Sequence, residues 1–281
     1  MSKKNRWVLL VLVLLALIAI LIGYVALHAV TTDTKAPKIT LTAEELSVSV
    51  LDPQEALLQG ITAADDRDGD VTDLIVVESM YGITKDNRVT VTYAAFDRSG
   101  NVAKQERQVH LSDYEAPRFT LSGALAFEDG TNFDILSLVG AQDLRDGNLQ
   151  HKLKATSMST AGSITEIGTH EIQFRVTNSL GDTQHLMLPL EIYPKDRYQA
   201  EMTLKEYLIY LPAGSSFNAR DYVDGFSLFG EQISLADVKV SLRGEVDQTK
   251  PGVYPIAYTA SYTVNDRVYM AYTKLIVIVE G

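Results

Sequence analysis

Residues 89–95, VTVTYAA, decide the fold because every second residue in them is apolar or aromatic. Successive side chains of a β-strand point to opposite faces of its sheet, so this alternation predicts a strand with one face in a protein core. A turn residue stands two positions before it, and the same arrangement occurs twice more along the chain. The three copies are Asn87 with 89–95, Gly168 with His170-x-Ile172-x-Phe174-x-Val176, and Gly252 with Tyr254-x-Ile256-x-Tyr258-x-Ala260.

Two further segments recur at nearly the same spacing. Residues 33–37, DTKAP, return as residues 113–117, DYEAP, eighty positions later. Residues 63–71, AADDRDGDV, return as residues 141–149, AQDLRDGNL, at an offset of seventy-eight. Repetition at one period is typical of tandem arrays. The sequence therefore predicts three domains, at 35–112, 113–194 and 195–281.

The predicted fold class is all-β. After the N-terminus, short runs rich in Val, Ile, Thr, Tyr and Phe are broken by Gly, Asp and Asn, and no stretch keeps a 3.6-residue apolar period. This pattern predicts three tandem Ig-like β-sandwiches, each made of two antiparallel sheets packed face to face. A true immunoglobulin core has two cysteines and a tryptophan. This chain has no Cys, and its one Trp is Trp7, so we expect Ig-like rather than immunoglobulin domains.

Residues 7–27, WVLLVLVLLALIAILIGYVAL, carry no charge and are long enough to cross a bilayer as a helix. Three basic residues precede them, and no acidic residue occurs before Asp33. The positive-inside rule then predicts that the N-terminus is cytoplasmic and the C-terminus extracellular. The predicted parts are a tail at 1–6, a transmembrane helix at 7–27 and a linker at 28–34. A cleaved signal peptide is the alternative, although its apolar core is usually shorter and no clean small-x-small cleavage site follows here.

Charge and cysteine content exclude several classes of protein. The chain has a net charge of −11 although its N-terminal tail is basic. Nucleic acids and anionic lipid surfaces need basic patches, so neither is an expected partner of the exported part. The absence of cysteine excludes disulfides, thiolate metal sites, lipid-modified cysteines and cysteine nucleophiles.

Residues 63–75, AADDRDGDVTDLI, followed by residues 89–113, VTVTYAAFDRSGNVAKQERQVHLSD, and by Ala116-Pro117 resemble the bacterial Ig-like domain named after insecticidal crystal toxins. The likeness is strong over 35–112, partial over 113–194 and weak over 195–281, where the acidic loop and the Ala-Pro linker are missing. The resemblance implies tandem β-sandwich modules of Gram-positive surface proteins, used for spacing, adhesion or presentation. It brings no catalytic residues with it.

The acidic loop of the first repeat is the most specific local motif. Closely spaced carboxylates repel each other unless they are solvated, bonded to backbone amides or neutralised by a hard cation such as Ca²⁺. In a β-sandwich this loop shares a pole with the late hairpin loop at 96–101 and with the linker that carries Asp33 or, in the second repeat, Asp113. The alternative is structural, because Asp and Asn build turns, and Arg67 or Arg145 could supply the positive charge. The candidate calcium ligands are Asp65, Asp66, Asp68, Asp70, Asp97, Asp143, Asp146 and Asn148.

Tyrosine is concentrated in the third predicted domain. Exposed rings could stack on sugars, which makes a glycan-binding face one interpretation. The other is a protein core, because Tyr254, Tyr258 and Tyr262 share a strand face with Ile256. The domain holds nine of the fourteen tyrosines: Tyr198, Tyr207, Tyr210, Tyr222, Tyr254, Tyr258, Tyr262, Tyr269 and Tyr272.

The sequence predicts a non-enzymatic protein. Its histidines show no metal-ligand spacing, and it has neither a G-x-S-x-G elbow nor a phosphate-binding glycine loop. We expect a single-pass membrane protein of the cell surface, a scaffold of the stalk and adhesion type that presents Ig-like domains to an extracellular protein or a cell-wall glycan. The alternative is an accessory subunit of a cell-envelope assembly or export complex, which contacts its partners through the transmembrane helix and the ectodomain.

Overall fold

The structure, a computed structural model, describes residues 3–43, 45–157 and 166–281. Within these residues the chain divides into two compact units, Met1–Asp113 and Tyr114–Gly281. Residues 1 and 2 of the predicted cytoplasmic tail and residues 158–165 of the second predicted domain lie outside the described residues.

The first unit begins with helix α1, Lys3–Thr31. Its segment Leu10–His28 is long and apolar enough to be a membrane span or a signal peptide, and the side chains of this segment are exposed rather than packed against protein. At 1.5 Å per residue, its 19 residues rise about 28 Å, close to the ~30 Å hydrocarbon thickness of a bilayer. The uncharged stretch 7–27 therefore lies within one continuous helix.

Seven described strands follow α1 in the first unit and form two sheets. One sheet has the order β1-β3-β4, and the other has the order β2-β7-β6-β5, with β2 parallel to β7 and the remaining pairs antiparallel. The strands are β1 Lys38–Leu41, β2 Leu46–Val48, β3 Ile61–Asp65, β4 Gly69–Asp70, β5 Ile75–Tyr81, β6 Arg88–Phe96 and β7 Val102–Leu111.

In the second unit the described residues form the same pair of sheets twice over. The first pair has the orders β8-β10-β11 and β9-β14-β13-β12, and the second has the orders β15-β17-β18 and β16-β21-β20-β19. The elements are β8 Arg118–Leu121, β9 Ala126–Glu128, α2 Ile135–Leu138, β10 Val139–Asp143, β11 Gly147–Asn148, β12 Lys154–Ser157, β13 Gly168–Thr177, β14 Thr183–Tyr193, β15 Ala200–Leu204, β16 Leu208–Pro212, β17 Val223–Leu228, β18 Glu231–Gln232, β19 Lys239–Arg243, β20 Gly252–Val264 and β21 Arg267–Glu280.

The alternating stretches form β6, β13 and β20, which pair antiparallel with β7, β14 and β21, respectively. In β6 the alternate residues Val89, Val91, Tyr93 and Ala95 are fully buried. The corresponding buried residues are Ile172, Phe174 and Val176 in β13 and Ile256, Tyr258 and Ala260 in β20. Burying one face of each strand supplies the apolar area that stabilises the sheets. The all-β, Ig-like fold class with one N-terminal apolar helix is confirmed.

Strand β21 is buried on both of its faces within the second unit. Leu275, Val277 and Val279 pack in the core formed by residues 200–279, whereas Ile276 belongs to the core formed with Phe119, Phe174 and Leu188. A strand that separates two cores needs apolar residues on both faces. Residues 114–193 and 200–280 are therefore joined through packed side chains and not only through the chain between them.

Candidate metal centre

Five aspartates of the first unit meet where β3 turns into β4. One carboxylate oxygen from each of Asp33, Asp65 and Asp66 lies within 4.8 Å of the others, and the same holds for Asp65, Asp68 and Asp97. Asp65 belongs to both groups, so the two form one cluster, which we call the acidic pole. Three different segments supply it: the linker after α1, the β3–β4 turn and the loop after β6.

Asp65 sits at the centre of the acidic pole and is 8% exposed. Its Oδ1 accepts hydrogen bonds from the backbone N–H groups of Asp68 at 2.9 Å and Arg67 at 2.8 Å. These two bonds lower the pKa of Asp65, so the carboxylate stays ionised. Its Oδ2 is buried and has no hydrogen-bond partner in the part of the chain that the structure describes.

Asp97 and Asp68 are held by the loop after β6. Asn101 donates to both oxygens of Asp97, from its backbone N–H at 2.8 Å and from Nδ2 at 2.6 Å, and Asp68 Oδ2 accepts from the Arg98 N–H at 2.8 Å. Burial raises the pKa of Asp97, but the bonds from Asn101 outweigh it, and the net pKa is lowered. The β3–β4 turn and the loop after β6 are therefore fixed face to face, and the carboxylate of Asp97 stays charged.

Asp33 ties the linker after the helix to the same pole. Its Oδ1 accepts from the Lys35 N–H at 3.1 Å, and its carbonyl oxygen accepts from Asn101 Nδ2 at 3.3 Å. The side chain is 9% exposed, and its Oδ2, like that of Asp65, is buried and finds no hydrogen-bond partner among residues 3–43, 45–157 and 166–281. The candidate ligands taken from the sequence left Asp33 out, although its repeat as Asp113 marked the linker.

The donor set of the acidic pole fits a hard cation. Ca²⁺ takes about six to eight oxygen ligands, most of them carboxylate or carbonyl oxygens, in a flexible geometry. A buried carboxylate oxygen without a partner costs free energy, and two of them beside further carboxylates cost more because the charges repel. Asp33, Asp65, Asp68 and Asp97 would hold a cation, which would neutralise this repulsion and satisfy both orphaned oxygens.

Asp66 forms an ion pair with a lysine side chain. Lys35 Nζ donates to Asp66 Oδ2, and this bond, together with the charge of Asp66, raises the pKa of Lys35. Both side chains are exposed, so the ion pair contributes little to stability. The ammonium partly offsets the negative charge at one side of the pole but does not bond the buried oxygens of Asp33 or Asp65.

Asp70 lies in the same loop but outside both aspartate groups. Its Oδ1 accepts from the Thr72 N–H at 3.0 Å, and Thr72 lowers the pKa of Asp70 through its side chain and its backbone. The carboxylate thus acts as a turn-forming acceptor, as the structural alternative predicted for Asp residues.

The second acidic loop, in the β10–β11 turn, is arranged differently. Asp146 accepts from Ser179 Oγ at 2.6 Å and from Lys152 Nζ at 3.2 Å, so a lysine already supplies the positive charge. Asp143 Oδ1 accepts from the Asp146 N–H, and Asn148 accepts from the Gln150 N–H. Asp143 Oδ2 is buried and, like those of Asp33 and Asp65, has no hydrogen-bond partner among the described residues. Among the described residues, no group of three acidic or histidine side chains forms around these positions.

The sequence differences between the two loops account for this contrast. Asn178 stands where the first repeat has Asp97, and Leu144 stands where it has Asp66. Asp113, the counterpart of Asp33, bonds elsewhere: its carboxylate accepts from Ser49 Oγ at 2.6 Å and the Val50 N–H at 2.7 Å. The second loop thus keeps the turn and the buried oxygen of Asp143, but it lacks the neighbouring carboxylates that would complete a cation site.

The tyrosines of the third predicted domain occupy three environments. Six of them pack in or against the core of residues 200–279: Tyr207, Tyr222, Tyr254, Tyr258, Tyr262 and Tyr269. Tyr198 and Tyr272 stack on each other with ring centroids 5.4 Å apart, outside that core, and Tyr210 lies beneath β8. The core interpretation therefore holds for the alternating tyrosines of β20.

Comparisons with known proteins yield distant structural likenesses. No family model and no curated protein matches the chain. Mouse cadherin-23 EC22-24 is 11% identical over 88% of this chain and 99% of that chain, with a TM-score of 0.21. Drosophila N-cadherin EC1-4 is 12% identical over 89% and 76%, with a TM-score of 0.24. The CBM51-2 (in complex with GlcNAc) and INT domains of Clostridium perfringens ZmpB are 15% identical over 87% and 44%, with a TM-score of 0.22. These scores carry no argument about function, and the family resemblance seen in the sequence stays a prediction.

Proposed function

We propose that this chain is a membrane-anchored extracellular scaffold and binding protein whose first β-domain, residues 35–112, binds Ca²⁺ at the acidic pole together with Asp33 of the preceding linker. The observation that carries the proposal is that two buried carboxylate oxygens, Asp33 Oδ2 and Asp65 Oδ2, lie together in one cluster of five aspartates and lack a hydrogen-bond partner among the described residues. A bound divalent cation would satisfy both oxygens at once.

The proposed extracellular location of the β-domains agrees with the calcium affinity expected for such a site. The helix Leu10–His28 anchors the chain, and the basic N-terminal residues keep that end in the cytoplasm. Calcium sites of extracellular modules bind with a Kd of about 10⁻⁴–10⁻³ M, which suits the millimolar calcium outside cells. The β-domains then act by binding and presentation, without catalysis, toward an extracellular protein or a cell-wall glycan.

The calcium proposal is tested by melting the full-length protein in detergent with 10 mM Ca²⁺ or with a chelator, for wild type, Asp65→Asn and Asp70→Asn. With a Kd of about 1 mM, 10 mM calcium stabilises the binding domain by about 1.4 kcal/mol, and its melting temperature rises by roughly 6–11 °C. Asp65→Asn keeps the acceptor for Arg67 and Asp68 but removes the central charge. We expect it to fold and to lose the shift, whereas Asp70→Asn keeps it.

Either of two results would contradict the calcium site. Identical melts of the wild type with calcium and chelator would reduce the acidic pole to a set of turn-forming aspartates. A shift that survives in Asp65→Asn but disappears in Asp70→Asn would place the cation elsewhere in the loop. Magnesium at the same concentration is the ionic-strength control, because it demands a tighter octahedral geometry.

The anchored scaffold and the export-complex subunit are separated by exchanging the helix. In the scaffold interpretation, replacing residues 7–27 with an unrelated transmembrane sequence preserves function, and protease added outside intact cells digests residues 35–281. If the replacement abolishes function while the ectodomain stays exposed and folded, the helix itself is a partner surface. Protection of the ectodomain from the protease would overturn the extracellular placement.

A further inference from the structure

The second unit contains a cleft of roughly 780 Å³ between the outer faces of its two four-stranded sheets. One wall consists of residues of β13 and β14 that point away from their core, including Glu171, Pro189 and Glu191, and the other comes from β20 and β21. The volume is in the range of small-molecule sites, which are concave and carry a few convergent polar groups. Neither the acidic pole nor the membrane helix takes part in this cleft.

Lys274 lies at the cleft and is 6% exposed. Its ammonium has three N–H donors, but its contacts are long: 3.4 Å to the Pro189 carbonyl oxygen and 3.8 Å to Glu191 Oε2. Ordinary hydrogen bonds of this type are about 2.7–3.2 Å long. Burial lowers the pKa of Lys274, although the charges of Glu191 and Glu171 raise it, so the ammonium is poorly solvated. The lysine therefore has donor capacity left for a ligand.

Two guanidinium groups line the same cleft. Arg197 and Arg243 are exposed, and neither forms an ion pair with an acidic side chain in the described part of the chain. Arg197 lies over the ring of Tyr198, with its Cζ 5.6 Å from the ring centroid. In a chain of net charge −11, unpaired arginines beside a buried lysine are a local excess of donors. Guanidinium groups match carboxylates in a two-bond geometry.

Aromatic rings and acceptors complete the cleft. Tyr193, Tyr198 and Tyr272 form a half-buried cluster, with Tyr193 edge-on to Tyr198 at 4.9 Å between ring centroids. Glu191 accepts from Thr169 Oγ1 at 2.7 Å, so a carboxylate and a hydroxyl stand beside the ammonium of Lys274. Flat apolar rings next to closely spaced donors and acceptors suit a ring-shaped ligand rich in hydroxyl groups, because each hydroxyl both donates and accepts.

We propose that this cleft binds an oligosaccharide that carries carboxylate groups. Lys274 and the arginines bond the carboxylates, Glu191 accepts from sugar hydroxyls, and the tyrosine cluster lies against the sugar rings. The assignment names the partner class of the proposed extracellular binding protein and so rests on that proposal. The binding measurement itself does not depend on anchoring or on calcium, so a negative result would leave both of those proposals standing.

The test is calorimetric titration of the full-length protein in detergent with two probes of equal length. Hyaluronan tetrasaccharide carries carboxylates, and chitotetraose is its neutral counterpart. We expect the acidic probe to bind at least tenfold more tightly than the neutral one. Lys274→Met should weaken that binding about tenfold or more, and Arg243→Gln several-fold, since hydrogen bonds to charged groups are the strong ones.

Lys239→Met is the matched control, because Lys239 is exposed on β19 of the same sheet and does not line the cleft. It should bind the acidic probe as the wild type does. If Lys274→Met does not fold, Arg243→Gln, whose side chain is exposed, still decides the question. Equal binding of both probes, equal binding by Arg243→Gln and wild type, or tighter binding of hexa-aspartate than of either sugar would overturn the proposal.

Discussion

Arg107 is a buried cation of the first unit, 4% exposed, whose hydrogen bonds go to neutral oxygens. Its Nη2 donates to the carbonyl oxygen of Leu57 at 2.9 Å and to the Tyr93 hydroxyl at 3.0 Å, and its Nη1 donates to the carbonyl oxygen of Gln59 at 2.9 Å. The guanidinium thus fastens the segment before β3 to β6 and β7. Its Nε has no hydrogen-bond partner among the described residues, and a buried N–H without an acceptor costs free energy.

Replacing Arg107 with Met should destabilise the first unit. The carbonyl oxygens of Leu57 and Gln59 would lose charge-assisted donors, and we expect a loss on the order of 3 kcal/mol in the free energy of unfolding. Arg88→Met on the neighbouring strand is the control, because its ion pair with Glu45 is exposed and 3.6 Å long. Thermal melts of both variants measure the difference. Equal melting temperatures would show that the buried guanidinium does not stabilise the fold.

At the residue scale, the sequence predicts which side chains are buried where apolar and polar residues alternate, and it fails where they do not. Tyr93 was found because it continues the period-two pattern of β6. Arg107 gave no signal, since β7 reads VAKQERQVHL and a charged residue in such a strand normally faces water. The acidic loop was found as a group, but spacing alone could not separate Asp70, which serves the turn, from Asp65, whose second oxygen has no partner.

At the element scale, Tyr210 of β16 connects that strand to β8. The Phe119 N–H donates to Tyr210 Oη at 2.8 Å, and Arg118 lies over the Tyr210 ring and pairs with Glu280 at 3.0 Å. Burial raises the pKa of Tyr210 to about 12, so the hydroxyl stays neutral at physiological pH. This contact joins the two halves of the second unit beside the shared core around Ile276.

Tyr210→Phe should therefore destabilise the second unit as a whole. Removing the hydroxyl leaves the Phe119 N–H without its acceptor, and we expect a loss of about 1–2 kcal/mol. Tyr269→Phe is the comparison, because that hydroxyl has no hydrogen bond within the described residues and its ring keeps its contact with Phe229. Denaturant unfolding of the two variants should give a lower midpoint for Tyr210→Phe only. A normal midpoint would mean that water replaces the hydroxyl at no cost.

One sequence feature, the apolar run of β21, indicates that residues 114–193 and 200–280 pack against each other. Residues 275–279 read LIVIV, a continuous apolar run, whereas the other long strands alternate. Such a run predicts a strand buried on both faces. The partner for its second face could not be identified, because the contact depends on a pairing of segments about 150 residues apart along the chain. Turn chemistry was a weaker guide: Asn87 adopts a φ of 55°, but Gly252 does not have a positive φ.

At the scale of the whole molecule, several acidic side chains are bound by the fold and respond to pH together. Backbone bonds from Asp68 and Arg67 lower the pKa of Asp65, the Ser49 hydroxyl lowers that of Asp113, and the Thr249 hydroxyl lowers that of Asp247. A carboxyl whose folded pKa is lowered stabilises the fold above its unfolded pKa, which is about 4 for Asp. That stability is lost as the pH falls through the lower, folded pKa.

The melting temperature should consequently be flat between about pH 7 and 5 and decrease below about pH 4. Calorimetry of the full chain at pH 7, 5, 4 and 3, in the presence of a chelator, measures this profile. Asp113→Asn should make the decrease shallower, since it removes one of the contributing groups while an amide oxygen can still accept from Ser49. A melting temperature that rises on acidification would show that repulsion within the acidic pole dominates the pH response.

Repeats were the strongest information in the sequence about the whole molecule. They revealed the recurring sheets and the place of the acidic loop, because turn residues and alternating strands are local features. They also indicated where the second loop departs from the first, at Asn178 and Leu144. The cleft of the second unit could not be predicted from the sequence, because its lining residues come from outward-facing positions of several strands and form no motif along the chain.

The position of Asp33 in the acidic pole has a mechanical consequence. Asp33 follows the end of α1 at Thr31 by only two residues. If α1 is the proposed anchor and a cation is bound at the pole, a force on α1 passes from the linker through the ion to Asp65 before it reaches β1. Without the ion, the linker is held at the pole only by weaker contacts, the hydrogen bond from Asn101 Nδ2 to the Asp33 carbonyl oxygen and the exposed Lys35–Asp66 ion pair. The extracellular calcium concentration would then determine how much force is needed to separate the linker from the first β-domain.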